Sequence, residues 1–443
     1  MSRKKIIISK IIYMKILLVT MEFPPFRGGV GNYYYNLIKN LGGVETVALV
    51  SQETSNNKSA SAEATADGPA DMQETNKFQI INSKFQSPII PDSIGEGTKS
   101  KIQSSSRQVQ GGAKFRVIYS SFFYRYFWPK WLKLFFEVRK IIKKEKFDLI
   151  WCGQVLPVGA VCYLINKFFK IPYFVSNHGM DIMLPQKSSR KKKLMMKVLQ
   201  SAKFITANSQ YTKNQLLKLG INDRKIQVIY PCSNIAGEFI ALEGKAAQIR
   251  QKLGLKGSKI LLSVGRLVKR KGYDKVIEAL AQLSAQYPNL AYLIVGQGPE
   301  KENFQFSIFN FQLKDKVKIF DDVSDEDLPY YYQLADIFMM PARDIQGDVE
   351  GFGLVYLEAA NFKLPVIAGR SGGAAEAVID NETGIMVDPE SVEEIKEAII
   401  KLLNDEQLRN QLGENGYLRS QKEFNWARQA DKLEDLILSI SHG

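Results

Sequence analysis

"KILLSVGR", Lys259 to Arg266, is an apolar run of strand length that ends in glycine and arginine, and "MKILLVT", Met14 to Thr20, reads the same way. Short apolar runs that alternate with helix-length segments argue for a parallel sheet covered on both faces. From Lys259 the rhythm continues through "AYLIVG", "VKIFDD", "DIFMMP" and "PVIAG". From Met14 it runs through "VETVALVS", "DLIWCG", "PYFVSN", "FITANS" and "IQVIYP", with helical patterns such as "GNYYYNLIKNL" and "PVGAVCYLINKFF" between. A polar, small-residue segment from Ser233 to Gly244 separates the two series. The expectation is an α/β chain of two doubly wound parallel-sheet domains, 1–235 and 236–422. A final helix within 423–443, "DKLEDLILSI", is expected to pack back toward the first domain as hinge or strap.

A chain of 443 residues with 45% apolar content buries a large core and has room for two domains. Three scattered cysteines, Cys152, Cys162 and Cys232, suit neither a disulfide framework nor a zinc site, which points to a reducing compartment. With only His178 and His442, a histidine-rich metal centre is excluded. No uncharged apolar run reaches the roughly 18–20 residues of a membrane span. The N-terminus, "MSRKKIIISKIIYMKILLVT", imitates a signal peptide, but Lys10 and Lys15 interrupt it and no small-residue cleavage site follows. A first strand from Met14, preceded by an extension or an upstream start codon, reads better. The chain is expected in the cytoplasm.

Two segments break the rhythm. Residues 51–112, with "SQETSNNKSASAEATADGPADMQETNK" and "GEGTKSKIQSSSRQVQGG", have the composition of a disordered insertion; only "FQIINSKFQSPII" has the makings of a short strand. "NFQFSIFNFQL", 303–313, looks more like a repetitive insertion than a helix.

Four loops carry chemistry. "FPPFRGGVGNYYYNLI" sets Gly28, Gly29 and Gly31 after the first strand and at a helix start, where bare amides approach an anion, or where the chain simply turns tightly. "SVGRLVKRKG" places Arg266, Lys269, Arg270 and Lys271 at the carboxyl end of a strand, the edge that faces the ligand crevice in open α/β sheets. A planar guanidinium and a mobile ammonium suit a diphosphate; a solvated charge run is the alternative. "SNHGMD" puts His178, Gly179 and Asp181 just past another strand. "GDVEGFGLVYLEAA", Gly347 to Ala360, flanks a Gly-Phe-Gly turn with Glu350 and Glu358, the second almost two turns into a helix. Glycines there leave amides for phosphate or sugar hydroxyls. Ionised carboxylates accept hydrogen bonds and so match hydroxyl donors. Two carboxylates around a phosphate-binding turn describe a nucleotide sugar; a capping acid and an exposed helical glutamate are the alternative.

With "VGQGPE" and "LPVIAGRSGGAAEAV", these stretches resemble, in order, the motifs of glycosyltransferase family 4, and "GDVEGFGLVYLEAA" is similar to phosphatidyl-myo-inositol mannosyltransferase-like members. The resemblance covers nearly the whole chain outside 51–112. It implies the GT-B architecture, two facing Rossmann-like domains with a cleft between them, and sugar transfer with retention of configuration, without cofactor or metal. It further implies that Arg266, Lys271 and the neighbouring Arg270 bind the donor diphosphate and that Glu358 holds the ribose. Glu350 and His178 would contact the transferred sugar, with the amides of Gly351, Phe352, Gly353 and Leu354 in support. Val323 would lie near the base, and Gly28 and Gly29 near the diphosphate and acceptor. GDP-mannose is the donor that the subgroup implies. The chain departs from the family at Phe362-Lys363, where Cys-Gly is common, and at Ala375, where proline is usual.

The net charge of +14 is uneven: Ala113 to Lys203 holds 19 Lys/Arg against 4 Asp/Glu. Within it, "SSFFYRYFWPKWLKLFFEVRKIIKKEK" interleaves Phe127, Trp128, Trp131 and Phe135 with Arg125, Lys130, Lys133 and Arg139. The pattern suits a helix lying in an anionic membrane interface, or a core helix with a solvated basic face. Nucleic acid is not expected, because no module that binds it accompanies the pattern. The expected enzyme is peripheral to the inner face of the membrane and acts on a lipid-linked or envelope-glycan acceptor. The alternatives are another donor, UDP- or ADP-linked; epimerisation of a nucleotide sugar; and an inactive sugar-nucleotide-binding or membrane-surface scaffold.

Overall fold

The computed structural model describes residues 14–24, 29–52, 104–108, 114–124, 126, 128–235 and 239–440, with the backbone alone at 104–108, 114 and 239–243. Its described residues form two compact units, one drawn from Met1–Ser176, Ser188–Ile205 and Glu434–Gly443, the other from Asn177–Lys187 and Thr206–Leu433.

Eight strands make the first sheet: β1 (Met14–Thr20), β2 (Val44–Ser51), β3 (Ser104–Gln108), β4 (Lys114–Ser120), β5 (Leu149–Cys152), β6 (Tyr173–Asn177), β7 (Ile205–Ala207) and β8 (Ile226–Val228). Their order is β3-β4-β2-β1-β5-β6-β7-β8. β1 begins at Met14 and buries every side chain from Ile16 to Thr20, as a strand covered on both faces must. It runs parallel to β2 from the Met14–Val44 pair and parallel to β5 from the Ile16–Leu149 pair. Trp151 of β5 is fixed by the edge of Tyr34 at 5.3 Å and by stacking on Phe174, also at 5.3 Å, and its indole N–H donates to Ser176 Oγ at 2.8 Å.

Six strands make the second sheet: β9 (Lys259–Val264), β10 (Leu290–Val295), β11 (Val317–Phe320), β12 (Ile337–Met340), β13 (Val366–Gly369) and β14 (Gly384–Val387), all parallel, in the order β11-β10-β9-β12-β13-β14. Counted from β9 this is the three-two-one-four-five-six order of a doubly wound sheet. The strands alternate faces with period two. Leu262, Val264, Phe338 and Met340 enter one core with Tyr356 and Phe352. Leu261, Tyr292, Ile337 and Met339 enter the other. The order reverses between β9 and β12, which pair at Leu261–Ile337 and Leu262–Phe338. The loops that follow these two strands therefore leave the carboxyl edge side by side.

Three segments depart from the sequence reading. "NFQFSIFNFQL" is mostly helix, Lys301–Asn310, because Phe304 and Ile308 share one face and both are buried, while Phe306 and Phe309 stay exposed. The linker-like stretch to Gly244 contains the start of a helix, Phe239–Lys252, since it holds no proline and a lone internal glycine is tolerated. Within 51–112, Ser51 closes β2 and Ser104–Gln108 forms β3, antiparallel to β4; a polar edge strand has no apolar alternation to betray it. The rest of that segment, "FQIINSKFQSPII" included, lies outside the described residues, as do His442, Arg125 and Phe127.

Candidate active site

The loop after β9 turns through Gly265 into a short 3-10 turn, Lys269–Lys271, and then into the helix Tyr273–Leu283. Gly272 makes that junction. Its φ is +77°, and a Cβ there would lie 2.1 Å from the Pro341 carbonyl oxygen in the loop after β12. Only glycine permits this approach. Beside it, Arg343 N–H donates to the Arg270 carbonyl at 2.8 Å, and the buried Arg343 guanidinium reaches Asp274 Oδ2 at 2.7 Å and Glu390 at 3.4 Å. The two loops are thus bound to each other by backbone contact and by an ion pair.

They deliver a charge cluster. Lys271 Nζ and Arg270 Nη1 both donate to Glu350 Oε2, at 2.5 and 2.7 Å, and Arg270 Nε lies 3.2 Å from Asp348 Oδ1. Lys271 and Glu350 are almost wholly enclosed, with 9% and 12% of their side chains accessible. Burial would raise the Glu350 carboxyl pKa, but the adjacent Lys271 and Arg270 outweigh it and hold it at about 2. The carboxylate is ionised throughout the neutral range. Arg266 stands exposed at the carboxyl end of β9.

Behind Glu350 the chain makes the Gly351-Phe352-Gly353 turn into the helix Leu354–Asn361. The Gly373 amide donates to the Glu350 carbonyl at 2.8 Å, and side chains at Gly372 or Gly373 would strike the backbone of Glu350 or Gly351. The Phe352 ring is buried against Tyr230 at 5.4 Å and Phe424 at 5.5 Å, so its amide is what it offers a ligand. The first turn of any helix leaves N–H groups without intrahelical partners. Leu354 opens that turn and packs, partly buried, on the core. Glu358 is the fifth residue of the helix, little more than one turn in and not two. The Tyr332 hydroxyl donates to it at 2.6 Å, and burial raises its pKa against the opposing effects of that hydrogen bond and of Lys271. Val323 packs, partly buried, on the same core.

The 177–187 segment approaches this turn. The His178 carbonyl lies where a Cβ on Gly351 would come within 3.4 Å, and the His178 amide donates to Asp181 Oδ1 at 3.0 Å. Burial lowers the His178 pKa to about 4, so its imidazole is neutral at neutral pH. Of the first glycine-rich loop, Gly28 lies outside the described residues. Gly29 opens the helix Gly29–Asn40 with open space around it, whereas Gly31 meets Phe23 Cα where a Cβ would be 3.2 Å away. Gly31 thus lets the helix pack closely on the backbone of the loop after β1.

Glu350, Arg270 and Lys271 are therefore brought into one contact, with Gly351, Gly353 and the His178 backbone close by. Tyr332, Arg343, Asp274 and Asp348 escaped the sequence reading. Arg343 and Asp348 had a signal, since "PARDIQGD" follows β12 at the carboxyl edge. Tyr332 had none, because its partner Glu358 lies 26 residues away.

The helix Leu132–Lys144 buries Leu134, Val138 and Ile141 on one face and exposes Phe136. Before it, Tyr126 and Trp128 are 89% and 85% exposed. Among the described residues no helix is long and apolar enough to cross a membrane.

Residues 245–419 match the family described as "Glycosyl transferases group 1", and residues 102–236 match "Glycosyltransferase Family 4". A GDP-mannose-dependent monoacylated alpha-(1-6)-phosphatidylinositol monomannoside mannosyltransferase of Corynebacterium glutamicum is 31% identical over 308 residues, 68% of this chain and 78% of that protein. The GDP-mannose-dependent alpha-(1-6)-phosphatidylinositol monomannoside mannosyltransferase of Mycolicibacterium smegmatis is 29% identical over 306 residues, 68% of this chain and 79% of that one. The crystal structure of Anabaena Alr3699/HepE in complex with UDP shares the fold, with a TM-score of 0.70 at 19% identity over 96% of this chain and 100% of that chain.

Proposed function

The chain belongs to glycosyltransferase family 4, with the GT-B fold, and from that premise we propose that it moves mannose from GDP-mannose to a lipid-linked or glycan acceptor, with retention of configuration and without a metal. The observation that carries this reading is the enclosed Lys271–Glu350–Arg270 contact at the switch point of the second sheet, beside the Gly351–Gly353 turn. The donor is supported by the similar mannosyltransferases, which use GDP-mannose.

In this proposal Arg266, Arg270 and Lys271 hold the donor diphosphate, where their positive charge meets the negative charge that develops on the leaving group. The bond between the anomeric carbon and the diphosphate oxygen breaks, and the electron pair leaves with the nucleoside diphosphate. The acceptor hydroxyl bonds to the anomeric carbon from the same face and gives its proton to that departing phosphate oxygen. Glu350 accepts from hydroxyls of the transferred sugar through Oε1, since Oε2 takes both cations. The amides of Gly351 to Leu354 support sugar and phosphate, neutral His178 contacts the sugar, Glu358 holds the ribose and Val323 lies by the base.

Exposed Trp128 and Tyr126, next to a helix whose last turn carries Lys143 and Lys144, support a peripheral site on an anionic membrane surface, at its cytoplasmic face. The test is a donor screen in EDTA, with GDP-mannose against UDP- and ADP-sugars, with and without anionic vesicles and with lipid acceptors. Preferential, metal-free turnover of GDP-mannose that requires acceptor is the expected result. Preference for another donor overturns the mannosyl assignment, and turnover without acceptor favours epimerisation or hydrolysis.

A further inference from the structure

We infer that Tyr332 is a positioning residue for the nucleotide ribose: its hydroxyl aims the Glu358 carboxylate, and Phe362 holds the Tyr332 ring in place. This rests on the reading that Glu358 is the ribose carboxylate. Tyr332 is wholly buried in the helix Leu328–Leu334, and its hydroxyl donates to Glu358 Oε2 at 2.6 Å, a charge-assisted bond when the glutamate is ionised. The ring is clamped on two sides. Phe362 stacks on it at 5.3 Å with 14° between the planes, and Phe338 of β12 stacks at 5.9 Å with 28°. An aromatic at 362 leaves the tyrosine little freedom to turn. The hydroxyl is thereby held on one carboxylate oxygen, and the other oxygen keeps a fixed direction for a ribose hydroxyl. A bond aimed by two stacked rings costs less ordering when the ligand arrives.

The groups that act on Glu358 are the Tyr332 hydroxyl and Lys271, which favour its ionised form, and Asp325, which opposes it. Since burial already raises the Glu358 pKa, loss of the tyrosine hydroxyl raises it further. The ionised acceptor then appears only at higher pH.

The experiment measures binding of GDP and of UDP, each against its 2′-deoxy and 3′-deoxy form, to the full chain and to Tyr332→Phe, Glu358→Gln and the double variant. It adds donor kinetics across pH and the thermal midpoint. The intact chain is expected to prefer at least one ribonucleotide over its deoxy form by about tenfold, the worth of one good hydrogen bond to a charged group. Tyr332→Phe, which keeps the stacked ring, is expected to reduce that preference to about two- to threefold. The same variant should raise donor KM more than it lowers kcat and move the acid limb of kcat/KM to higher pH. In the Glu358→Gln background, Tyr332→Phe is expected to change the preference no further. If Glu358→Gln abolishes the preference while Tyr332→Phe retains both it and the acid limb, Tyr332 has no positioning role and the ribose reading stands. A lowered thermal midpoint in both backgrounds with the preference intact is the purely structural result and likewise overturns the inference. No ribo-over-deoxy preference in the intact chain, and no effect of Glu358→Gln, would overturn the ribose reading and this inference with it.

Discussion

Glu350 receives two cations on one oxygen inside an enclosed site, and that arrangement sets both its charge and its cost. Removing one partner of such a buried cluster costs stability, but Arg270 stays on the same Glu350 oxygen when Lys271 is removed, so the carboxylate is not left without a cation and the fold survives the deletion. Lys271→Ala is expected to lower transfer by at least about a hundredfold, the scale for loss of one preorganised charge stabiliser, while far-UV circular dichroism stays unchanged. Near-normal turnover in that variant would remove the phosphate-clamp assignment. The acid behaviour follows from the same contact. Glu350 has its pKa lowered from 4.5 to about 2, so its contribution to stability is complete above about pH 4.5 and is lost as pH falls toward 2. The difference corresponds to roughly 3 kcal/mol. Glu350→Gln is therefore expected to flatten the loss of unfolding free energy between pH 5 and about 2.5, measured in urea. An unchanged slope would mean that the contact does not persist in solution. His178 acts in a different window. Its lowered pKa makes folding easier while it stays neutral, a contribution present above its ordinary value of 6.5 and lost as pH falls toward 4.

What brings these side chains together is loop geometry, and there glycine and arginine matter more than the charged residues themselves. Gly272 holds φ at +77° against the Pro341 carbonyl, and Arg343 ties the same two loops through Asp274. Gly272→Ala is expected to cost at least about 2 kcal/mol by chemical denaturation, because the new methyl meets backbone and the conformation is strained. Donor KM should rise in step, since the strain falls on the Lys269–Lys271 turn. Full stability in this variant would show that the loop after β12 yields freely. The sequence displayed the strands well, because central parallel strands are continuous apolar runs such as "KILLSV" and "LIWC". It displayed the chemical loops by their position after those strands. It misrepresented "NFQFSIFNFQL", where six apolar residues in eleven blur the helical stripe, and it concealed β3, whose polar residues lie at a sheet edge. Tyr332 reads as one of three consecutive tyrosines, and nothing local marks which of them reaches Glu358. Contacts between residues distant in sequence carry no periodicity, so motif position reveals Glu350 and Glu358 but not what each of them touches.

The chain as a whole carries +14, and the basic window from Ala113 to Lys203 accounts for that excess. Its helix Leu132–Lys144 has the ordinary buried stripe of a core helix, and we propose its exposed face for a membrane interface. The exposed aromatics stand beside it: Trp128 and Tyr126 precede the helix, and Phe136 on the helix and Phe168 on its neighbour Val158–Phe169 flank the half-buried Phe135. A tryptophan in solvent costs the free protein exposed apolar area, which insertion into an interface recovers at about 25 cal/mol per Å2. Basic side chains near an anionic surface add about 1 kcal/mol each, a contribution that salt screens. These two contributions are separable. Co-sedimentation with phosphatidylglycerol-containing vesicles is expected to bind the protein, whereas neutral phosphatidylcholine vesicles should bind it at least about tenfold more weakly, as several screened basic contacts imply. Raising salt from 50 to 500 mM should remove most of that advantage, because the Debye length shortens severalfold. Trp128→Ser is expected to weaken binding at both salt concentrations by about threefold or more, since its contribution is apolar and unscreened. Equal binding to neutral and anionic vesicles would mean that the charge excess serves something other than a membrane, and an unaffected Trp128→Ser would place the contact elsewhere on the basic surface.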